Sequence, residues 1–270
     1  KQLLPVWDKP MIYYPLSVLM MAGIRDILII STPLDLPRFQ TLLGGGAQFG
    51  IALQYAVQDE PNGLAEALLI GETFLNGSPS TLILGDNIFY GFGLVDRLAA
   101  ADTSPGATIF GYRVHDPERY GVIEFDESKN AVSLEEKPTR PKSQYAATGL
   151  YFYDAHAPDY ARQLIPSARG ELEITDLNRC YLDAGNLGVQ LLQRGTAWLD
   201  TGTVESLMQA AQFVEAIQTR QGTVIACLEE IALASGWIAP AEIASRIDRL
   251  GKGPYATYLK TLLITGASHA

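Results

Sequence analysis

Two acidic residues stand beside small residues at the ends of apolar runs, where a chain can present a carboxylate to a ligand. Asp86 follows the run that closes with Leu84-Gly85, and Asp200 precedes Thr201-Gly202 and an amphipathic stretch. Proteins bind Mg²⁺ with one or two carboxylates together with phosphates and water. Asp86 and Asp200 therefore suit one magnesium site if the fold joins them, while a turn or a helix cap is the alternative role for each.

Two further groups of polar residues end strand-like patterns. Glu136-Lys137 comes just before Pro138, and Gln58 is followed by a loop that contains Gly63. A lysine can hold a sugar phosphate as a point charge, and a glutamate can accept hydrogen bonds from sugar hydroxyls. The amide of Gln58 can pair with a base edge, and Gly63 permits close approach of the backbone. A solvated strand end and an ordinary loop are the alternatives.

The elements that must position these residues alternate in the first half of the chain. Residues 26–31 and 80–85 are short, uniformly apolar runs, which indicate strands buried on both faces. Helical patterns are predicted over 15–22, 63–74 and 94–101. This alternation predicts an α/β fold with a mainly parallel sheet flanked by helices, and such sheets bind ligands at the carboxyl ends of their strands.

The pattern changes twice in the rest of the chain. Between residues 108 and 153 strands follow one another closely, which predicts an inserted antiparallel layer that forms the second wall of a cleft. After Gly202 the apolar residues recur every three or four positions, which predicts a helix. Residues 222–270 form a further, mostly helical segment. The Gly44–46 run lacks the wider spacing of a phosphate loop and is interpreted as a turn.

Composition excludes several classes of protein. The chain has 270 residues, 47% of them hydrophobic, and carries 20 basic against 30 acidic residues for a net charge of -10. A nucleic-acid partner needs a basic face and is therefore not expected. Cys180 and Cys227 form no CxxC pair, so we expect neither a disulfide framework nor a zinc site. The low cysteine content is typical of a reducing compartment, and we therefore expect a cytoplasmic protein. No apolar run reaches the ~18 residues of a membrane span.

A series of motifs occurs in one order along the whole chain. These motifs are Lys1-Gln2-Leu3-Leu4-Pro5-Val6, Asp8-Lys9-Pro10-Met11, Pro61-Asn62-Gly63-Leu64-Ala65, Leu84-Gly85-Asp86-Asn87, Arg119-Tyr120-Gly121-Val122, Glu135-Glu136-Lys137-Pro138, Thr148-Gly149-Leu150-Tyr151, Arg169-Gly170-Glu171-Leu172-Glu173-Ile174-Thr175-Asp176 and Trp198-Leu199-Asp200-Thr201-Gly202. In this order they closely resemble the glucose-1-phosphate thymidylyltransferases, a family of sugar nucleotidylyltransferases.

The resemblance implies an activity and a fold. The activity is the Mg²⁺-dependent condensation of dTTP with α-D-glucose 1-phosphate to dTDP-glucose and pyrophosphate, the first step toward dTDP-L-rhamnose. The fold is a nucleotide-binding (Rossmann-like) sheet with an added antiparallel sugar-binding sheet. The resemblance also implies a homotetramer and feedback inhibition by dTDP-rhamnose. Two alternatives stay open: an enzyme that uses UTP or CTP, and a non-catalytic homologue that binds a nucleotide sugar.

The resemblance further assigns roles to individual residues. The implied catalytic residues are Lys1, Asp86 and Lys137. Metal ligands are Asp86 and Asp200. Nucleotide contacts are Lys1, Gln2, Gln58, Pro61, Gly63, Leu64 and Asp86. Sugar contacts are Asn87, Gly121, Glu136, Lys137, Ala147, Gly149 and Tyr151, and Ala147 takes a position where the family often has valine.

The expected domain organisation follows the same resemblance. Residues 1–221 form the catalytic domain, with the sugar-binding insertion at 108–153, and residues 222–270 form a C-terminal helical segment for oligomerisation or regulation. The sequence opens on Lys1 without a methionine. We therefore expect the gene product to begin upstream, with the strand and the G-G-x-G-T-R loop that open the family's members and bind phosphates.

Overall fold

The computed structural model of the protein describes residues 1–101 and 105–266. Its strands are β1 (Pro5–Val6), β2 (Lys9–Pro10), β3 (Asp26–Ser31), β4 (Ala52–Val57), β5 (Ser80–Ile83), β6 (Asn87–Tyr90), β7 (Ala107–Arg113), β8 (Gly121–Phe125), β9 (Ala131–Glu136), β10 (Tyr145–Tyr153), β11 (Leu187–Leu191) and β12 (Ala197–Asp200). Its helices are α1 (Tyr13–Met21), α2 (Leu36–Leu43), α3 (Glu66–Ile70), α4 (Glu72–Leu75), α5 (Leu94–Ala99), α6 (Ala157–Gln163), α7 (Ile174–Asp183), α8 (Val204–Gln221), α9 (Leu228–Ala234), α10 (Pro240–Leu250) and α11 (Pro254–Thr265).

The long strand β10 organises the central sheet. Its first half pairs with β8, where Tyr145 lies opposite Ile123, and its second half pairs with β5, where Leu150 lies opposite Ile83. Strand β7 runs along the other side of β10, and β11 and β9 form the edges. Within the described residues, the antiparallel strands predicted between 108 and 153 are therefore continuous with the first part of the chain and do not form a separate layer.

The α/β class and the flanking helices are confirmed. Among the described residues, parallel pairing is found in β3–β4 and β7–β11, and the remaining ladders are antiparallel, so the expected predominance of parallel pairs is not observed. Strand β5 joins β10, while residues of both β3 and β5 line a cavity of about 500 Å³. All four residues of β5 are only half-buried for this reason, and in β3 only Ile27 and Ile29 are buried, so the prediction of burial on both faces is wrong for both strands.

Most predicted helices lie within two residues of their expected positions. Helix α1 begins at Tyr13, which leaves Pro15 in the first turn, where its missing N–H costs no hydrogen bond. The helix predicted over 63–74 is instead divided at Gly71 into α3 and α4. Glycine has a low helix propensity, and here it ends one helix and begins the next.

The C-terminal helices pack on the first part of the chain. Leu228 of α9, Ile243 of α10 and Leu259 of α11 share one hydrophobic core with α1, β3 and β4. A buried ion pair joins two of these helices, because Arg246 Nε lies 2.5 Å from a carboxylate oxygen of the fully buried Glu229. Residues 222–266 therefore depend on the same core as α1 and the β3–β4 pair. No helix in the described part of the chain is long and apolar enough to span a membrane.

Candidate active site

Strand pairing brings the two candidate metal carboxylates together. Strands β6 and β12 are antiparallel, and their register places Asp200 opposite Asn87, next to Asp86. The backbone N–H and the hydroxyl of Thr201 both donate to the carbonyl oxygen of Asp86, at 3.1 and 2.8 Å. The loop before β6 and the end of β12 are thereby held against each other, and Asp86 and Asp200 line the same cavity.

This cavity has a volume of about 380 Å³. It collects residues from β6, β8, β9, β10, β12 and the chain start. The predicted site residues that line it are Gln2, Leu64, Asp86, Asn87, Gly121, Glu136, Lys137, Ala147, Gly149, Tyr151 and Asp200. Metal and sugar candidates that are widely separated in sequence thus face one another.

The charges around Asp86 and Asp200 define one wall of the cavity. Lys1 Nζ lies 2.7 Å from Asp86 Oδ2. Burial and then the neighbouring Asp86 raise the pKa of Asp200 from its ordinary value, while Lys1 and Arg119 oppose that shift. Two carboxylates that disfavour each other's charge are a suitable pair for a divalent cation. The described residues hold no group of three or more His, Cys, Asp or Glu arranged for a metal, so substrate phosphates and water would have to supply the other ligands.

The lining of the cavity also includes the candidate sugar and phosphate groups. Glu136 Oε2 accepts a hydrogen bond from the Thr175 hydroxyl at 2.6 Å. Its other oxygen lies 3.6 Å from Lys137 Nζ and 3.5 Å from a guanidinium nitrogen of Arg169. Two cations therefore converge on one carboxylate beside the cavity. Lys137 lines the 380 Å³ cavity, whereas Arg169 lines a separate cavity and also pairs with Glu173 at 2.9 Å.

Lys137 has an unusual backbone. Its φ is +43°, in the left-handed region that non-glycine residues seldom adopt. Its N–H donates to the carbonyl of Tyr120 at 3.0 Å, which joins the end of β9 to the start of β8. A left-handed non-glycine residue costs about 1–3 kcal/mol, and such residues cluster at functional sites. The strain is located at the lysine that the sequence singled out.

Two glycines give the cavity its shape. A Cβ atom at Gly149 would lie 2.6 Å from both Leu84 Cγ and Asn87 Oδ1. A Cβ atom at Gly121 would lie 2.9 Å from the Thr175 hydroxyl. Any side chain at either position would displace these neighbours. Tyr151 is buried beside them, and burial raises its pKa, so its phenol remains protonated at neutral pH.

The candidate nucleotide residues lie at the boundary with the 500 Å³ cavity. Gln2 and Leu64 line both cavities, and Gln58 lines the larger one. The amide of Gln58 donates to Glu66 at 2.6 Å and to the carbonyl of Gly63 at 3.2 Å. A Cβ atom at Gly63 would lie 2.4 Å from the carbonyl oxygen of Leu172, so only glycine fits there. Lys1, Pro61 and Gly63, in contrast, line neither cavity, and Lys1 and Pro61 are exposed.

Several residues at the site had no role from the sequence. Trp198, Thr175, Tyr120 and Arg119 line the 380 Å³ cavity, and Arg169 stands beside it. Each lies within a motif of the ordered series, so motif membership was the available signal. Nothing in the spacing of Arg169 and Thr175 indicates that the segment at the start of α7 lies against the end of β9, where Thr175 donates to Glu136.

The sequence has close relatives along its whole length. A profile of the family described as Nucleotidyl transferase matches residues 1–217. A glucose-1-phosphate thymidylyltransferase of Xanthomonas campestris pv. campestris (strain B100) is 61% identical over 100% of this chain and 92% of its own length. The enzyme of that name from Mycobacterium tuberculosis (strain ATCC 25618 / H37Rv) is 53% identical over 97% of this chain and 91% of its own length.

Solved structures share the fold. A Bacillus anthracis protein assigned to the same enzyme class, crystallised with sucrose, superposes with a TM-score of 0.72 at 40% identity over 79% of this chain and 85% of its own. A UDP-glucose pyrophosphorylase bound to UDP-glucose superposes with a TM-score of 0.65 over 80% of this chain and 90% of its own, and at 22% identity this likeness shows the fold alone. On the profile match and the full-length identities, the chain belongs to the nucleotidyl transferase family.

Proposed function

We propose that this chain is an enzyme that transfers a thymidylyl group from dTTP to α-D-glucose 1-phosphate, with dTDP-glucose and pyrophosphate as products. The observation that carries the proposal is the 380 Å³ cavity, which is lined by Asp86 and Asp200 together with Glu136 and Lys137. The names of relatives that are 53–61% identical over nearly the whole chain support the same activity.

The proposed reaction is an in-line attack of the sugar-phosphate oxygen on the α-phosphorus of dTTP. The O–P bond to the sugar phosphate forms, the bond to the leaving pyrophosphate breaks, and no general base is needed because the nucleophile is already an anion. The protein must hold two anions together and neutralise their charge. Lys137 would receive the sugar phosphate, and Lys1 would contact the triphosphate.

Asp86 and Asp200 are the residues that would hold a metal ion. Members of this family generally use a divalent metal, and we propose Mg²⁺ because two carboxylates with phosphate and water ligands suit it. When bound, Mg²⁺ neutralises phosphate charge and favours departure of pyrophosphate. The ammonium of Lys1, 2.7 Å from Asp86, balances part of the negative charge of this wall.

The sugar would be recognised opposite the metal wall. Glu136 accepts hydrogen bonds from sugar hydroxyls, while Gly121 and Gly149 leave space where a side chain would collide. Asn87, Ala147 and Tyr151 complete this side of the proposed site.

The thymine would lie toward the larger cavity. There Gln2, Gln58, Pro61, Gly63 and Leu64 are the proposed contacts, although Pro61 lines neither cavity. The amide of Gln58 is bonded to Glu66, so pairing with a base would require it to exchange that partner.

Regulation and assembly are part of the same proposal. We propose residues 1–221 as the catalytic unit, with 108–153 binding sugar, and 222–270 as a segment for oligomerisation and for feedback by dTDP-rhamnose. Within this segment Ile264 of α11 is 85% exposed, and elsewhere Phe92, Val204 and Met208 are exposed; subunit contacts in the proposed homotetramer would remove these apolar side chains from water. Light scattering of the purified protein measures the subunit number.

The proposed function is tested by pyrophosphate release with α-D-glucose 1-phosphate, Mg²⁺ and either dTTP, UTP or CTP. We expect dTTP to be preferred and dTDP-glucose to be the product. Asp86→Asn should lower turnover about 10²- to 10³-fold, whereas Asp248→Asn, an exposed residue of α10, should leave it unchanged. A preference for UTP or CTP would favour the alternative enzyme, and binding of dTDP-glucose without turnover would favour a non-catalytic homologue.

A further inference from the structure

The side-chain amide of Asn87 has its orientation fixed by the protein. Asn87 is buried, and its Oδ1 accepts hydrogen bonds from the indole N–H of Trp198 at 2.6 Å and from the backbone N–H of Gly149 at 3.1 Å. A reversed amide would place its NH₂ group against two donors. The oxygen must therefore face Trp198 and Gly149, and both of its lone pairs are used.

The fixed amide leaves its NH₂ group for Asp86. Asn87 Nδ2 donates to Asp86 Oδ1 at 3.1 Å, while Lys1 contacts the other carboxylate oxygen, Oδ2, at 2.7 Å. Because Thr201 also holds the backbone carbonyl of Asp86, this residue is constrained at three points. Thr201 contacts the backbone and Lys1 contacts Oδ2. The contact from Asn87 is therefore the one that fixes the position of the other carboxylate oxygen, Oδ1.

Trp198 is itself held rigidly. It is buried on β12, and its ring packs against Tyr120 and Tyr112, with centroids 5.2 and 5.8 Å away. The indole N–H can only donate a hydrogen bond, so it cannot adapt to a reversed amide. A rigid donor thus lies at the start of a short chain of contacts that ends on a candidate metal ligand.

We propose that Trp198 is a positioning residue, which through Asn87 fixes the carboxylate of Asp86 for the metal ion. The inference rests on the metal role proposed for Asp86. With both lone pairs of Oδ1 occupied by the protein, Asn87 orients Asp86 and can contact a sugar hydroxyl only through the second N–H of its amide. Groups that orient metal ligands commonly contribute about 10- to 100-fold to metal affinity.

The test is Trp198→Phe, which removes the N–H and keeps a ring between Tyr112 and Tyr120. Binding of Mn²⁺ to the substrate-free protein, measured by electron paramagnetic resonance, should weaken about 10-fold. The Mg²⁺ concentration for half-maximal turnover should rise by a similar factor, while kcat at saturating Mg²⁺ changes much less. Trp237→Phe, on the C-terminal segment and outside the cavity lining, is the matched control and should bind Mn²⁺ normally.

A second variant separates positioning from a folding defect. Asn87→Ala removes the same contact to Asp86, so adding Trp198→Phe to it should weaken Mn²⁺ binding no further. Unchanged Mn²⁺ affinity in Trp198→Phe, or additive losses in the double variant, would overturn the inference. Weakened Mn²⁺ binding in a protein that transfers no thymidylyl group would sustain the inference and refute the proposed function. Normal thymidylyl transfer by the unchanged protein, together with unchanged Mn²⁺ binding in Trp198→Phe, would support the proposed function and overturn the inference about Trp198.

Discussion

Replacing Asp200 by asparagine should raise the stability of the metal-free protein while abolishing most of its activity. Burial and the nearby Asp86 both raise the pKa of Asp200 above its ordinary value of 3.8. A raised pKa in the folded state means that the neutral form is favoured by folding. The corresponding stability is complete below the unfolded pKa and is lost as the pH rises through the folded pKa. The asparagine side chain stays neutral at every pH, so the stability of the variant does not fall as the pH rises through the folded-state pKa of Asp200.

Asp200→Asn should change the stability of the protein only slightly but lower its turnover greatly. Asp200 is partly exposed, and solvent screens its repulsion from Asp86, so the gain is below about 1 kcal/mol. For a chain of this length that is about 2 °C or less in Tm. Loss of one group that neutralises charge in the transition state typically lowers turnover about 10²- to 10³-fold. Stability and activity should therefore move in opposite directions.

The assay combines thermal unfolding with EDTA and pyrophosphate release with Mg²⁺. The difference in Tm between Asp200→Asn and the unchanged protein should be largest near neutral pH and should shrink as the pH falls toward the ordinary pKa of an aspartate, about 3.9. Asp248→Asn is the control and should alter neither quantity. Near-normal turnover of Asp200→Asn would refute the metal role of Asp200. A lower Tm that accompanies lost activity would instead show a folding defect and refute the electrostatic reasoning.

Three more substitutions test the surrounding structure. Glu229→Gln should lower the free energy of unfolding in urea by roughly 3 kcal/mol, because it leaves a mostly buried guanidinium without its charge partner. Lys137→Ala should lower kcat/KM for glucose 1-phosphate about 10²- to 10³-fold, whereas Lys129→Ala, at an exposed turn with φ +65°, should not. Gly63→Ala should lower Tm and raise KM for dTTP, because a Cβ atom there meets backbone at 2.4 Å; Gly77→Ala, which also has a positive φ but open space around it, should keep normal kinetics.

Local pattern predicted most elements correctly because it is a property of neighbouring residues. The strand over 26–31 and the helix after Gly202 were found as expected. The pairing partner of β5 was not predictable in this way, and neither was the direction of its pairing. The local sequence of this short strand is the same whether it pairs with β3 or with β10. The choice of β10 depends on contacts between segments that are far apart in the chain, such as Ile83 and Leu150. Local pattern does not encode such contacts.

For the candidate site, too, the sequence predicted the identity of the residues but not their arrangement. Residue types and motif order in the sequence were sufficient to select Asp86, Asp200, Glu136 and Lys137 as candidates for a chemical role. Only the tertiary structure decided that they share one cavity, because the β6–β12 register brings together carboxylates that are 114 residues apart, from position 86 to position 200. Only the tertiary structure, likewise, placed Arg169 beside Glu136, the carboxylate that Lys137 approaches.

Sequence by itself thus determined which groups are available to this protein and the elements on which they lie. The tertiary structure decided their partners, because hydrogen bonds and ion pairs fall off within a few ångströms and depend on how distant segments are brought together. The indole of Trp198 shows the difference: the sequence places Trp198 in the motif that contains Asp200, and only the fold aims its N–H at the amide that orients Asp86.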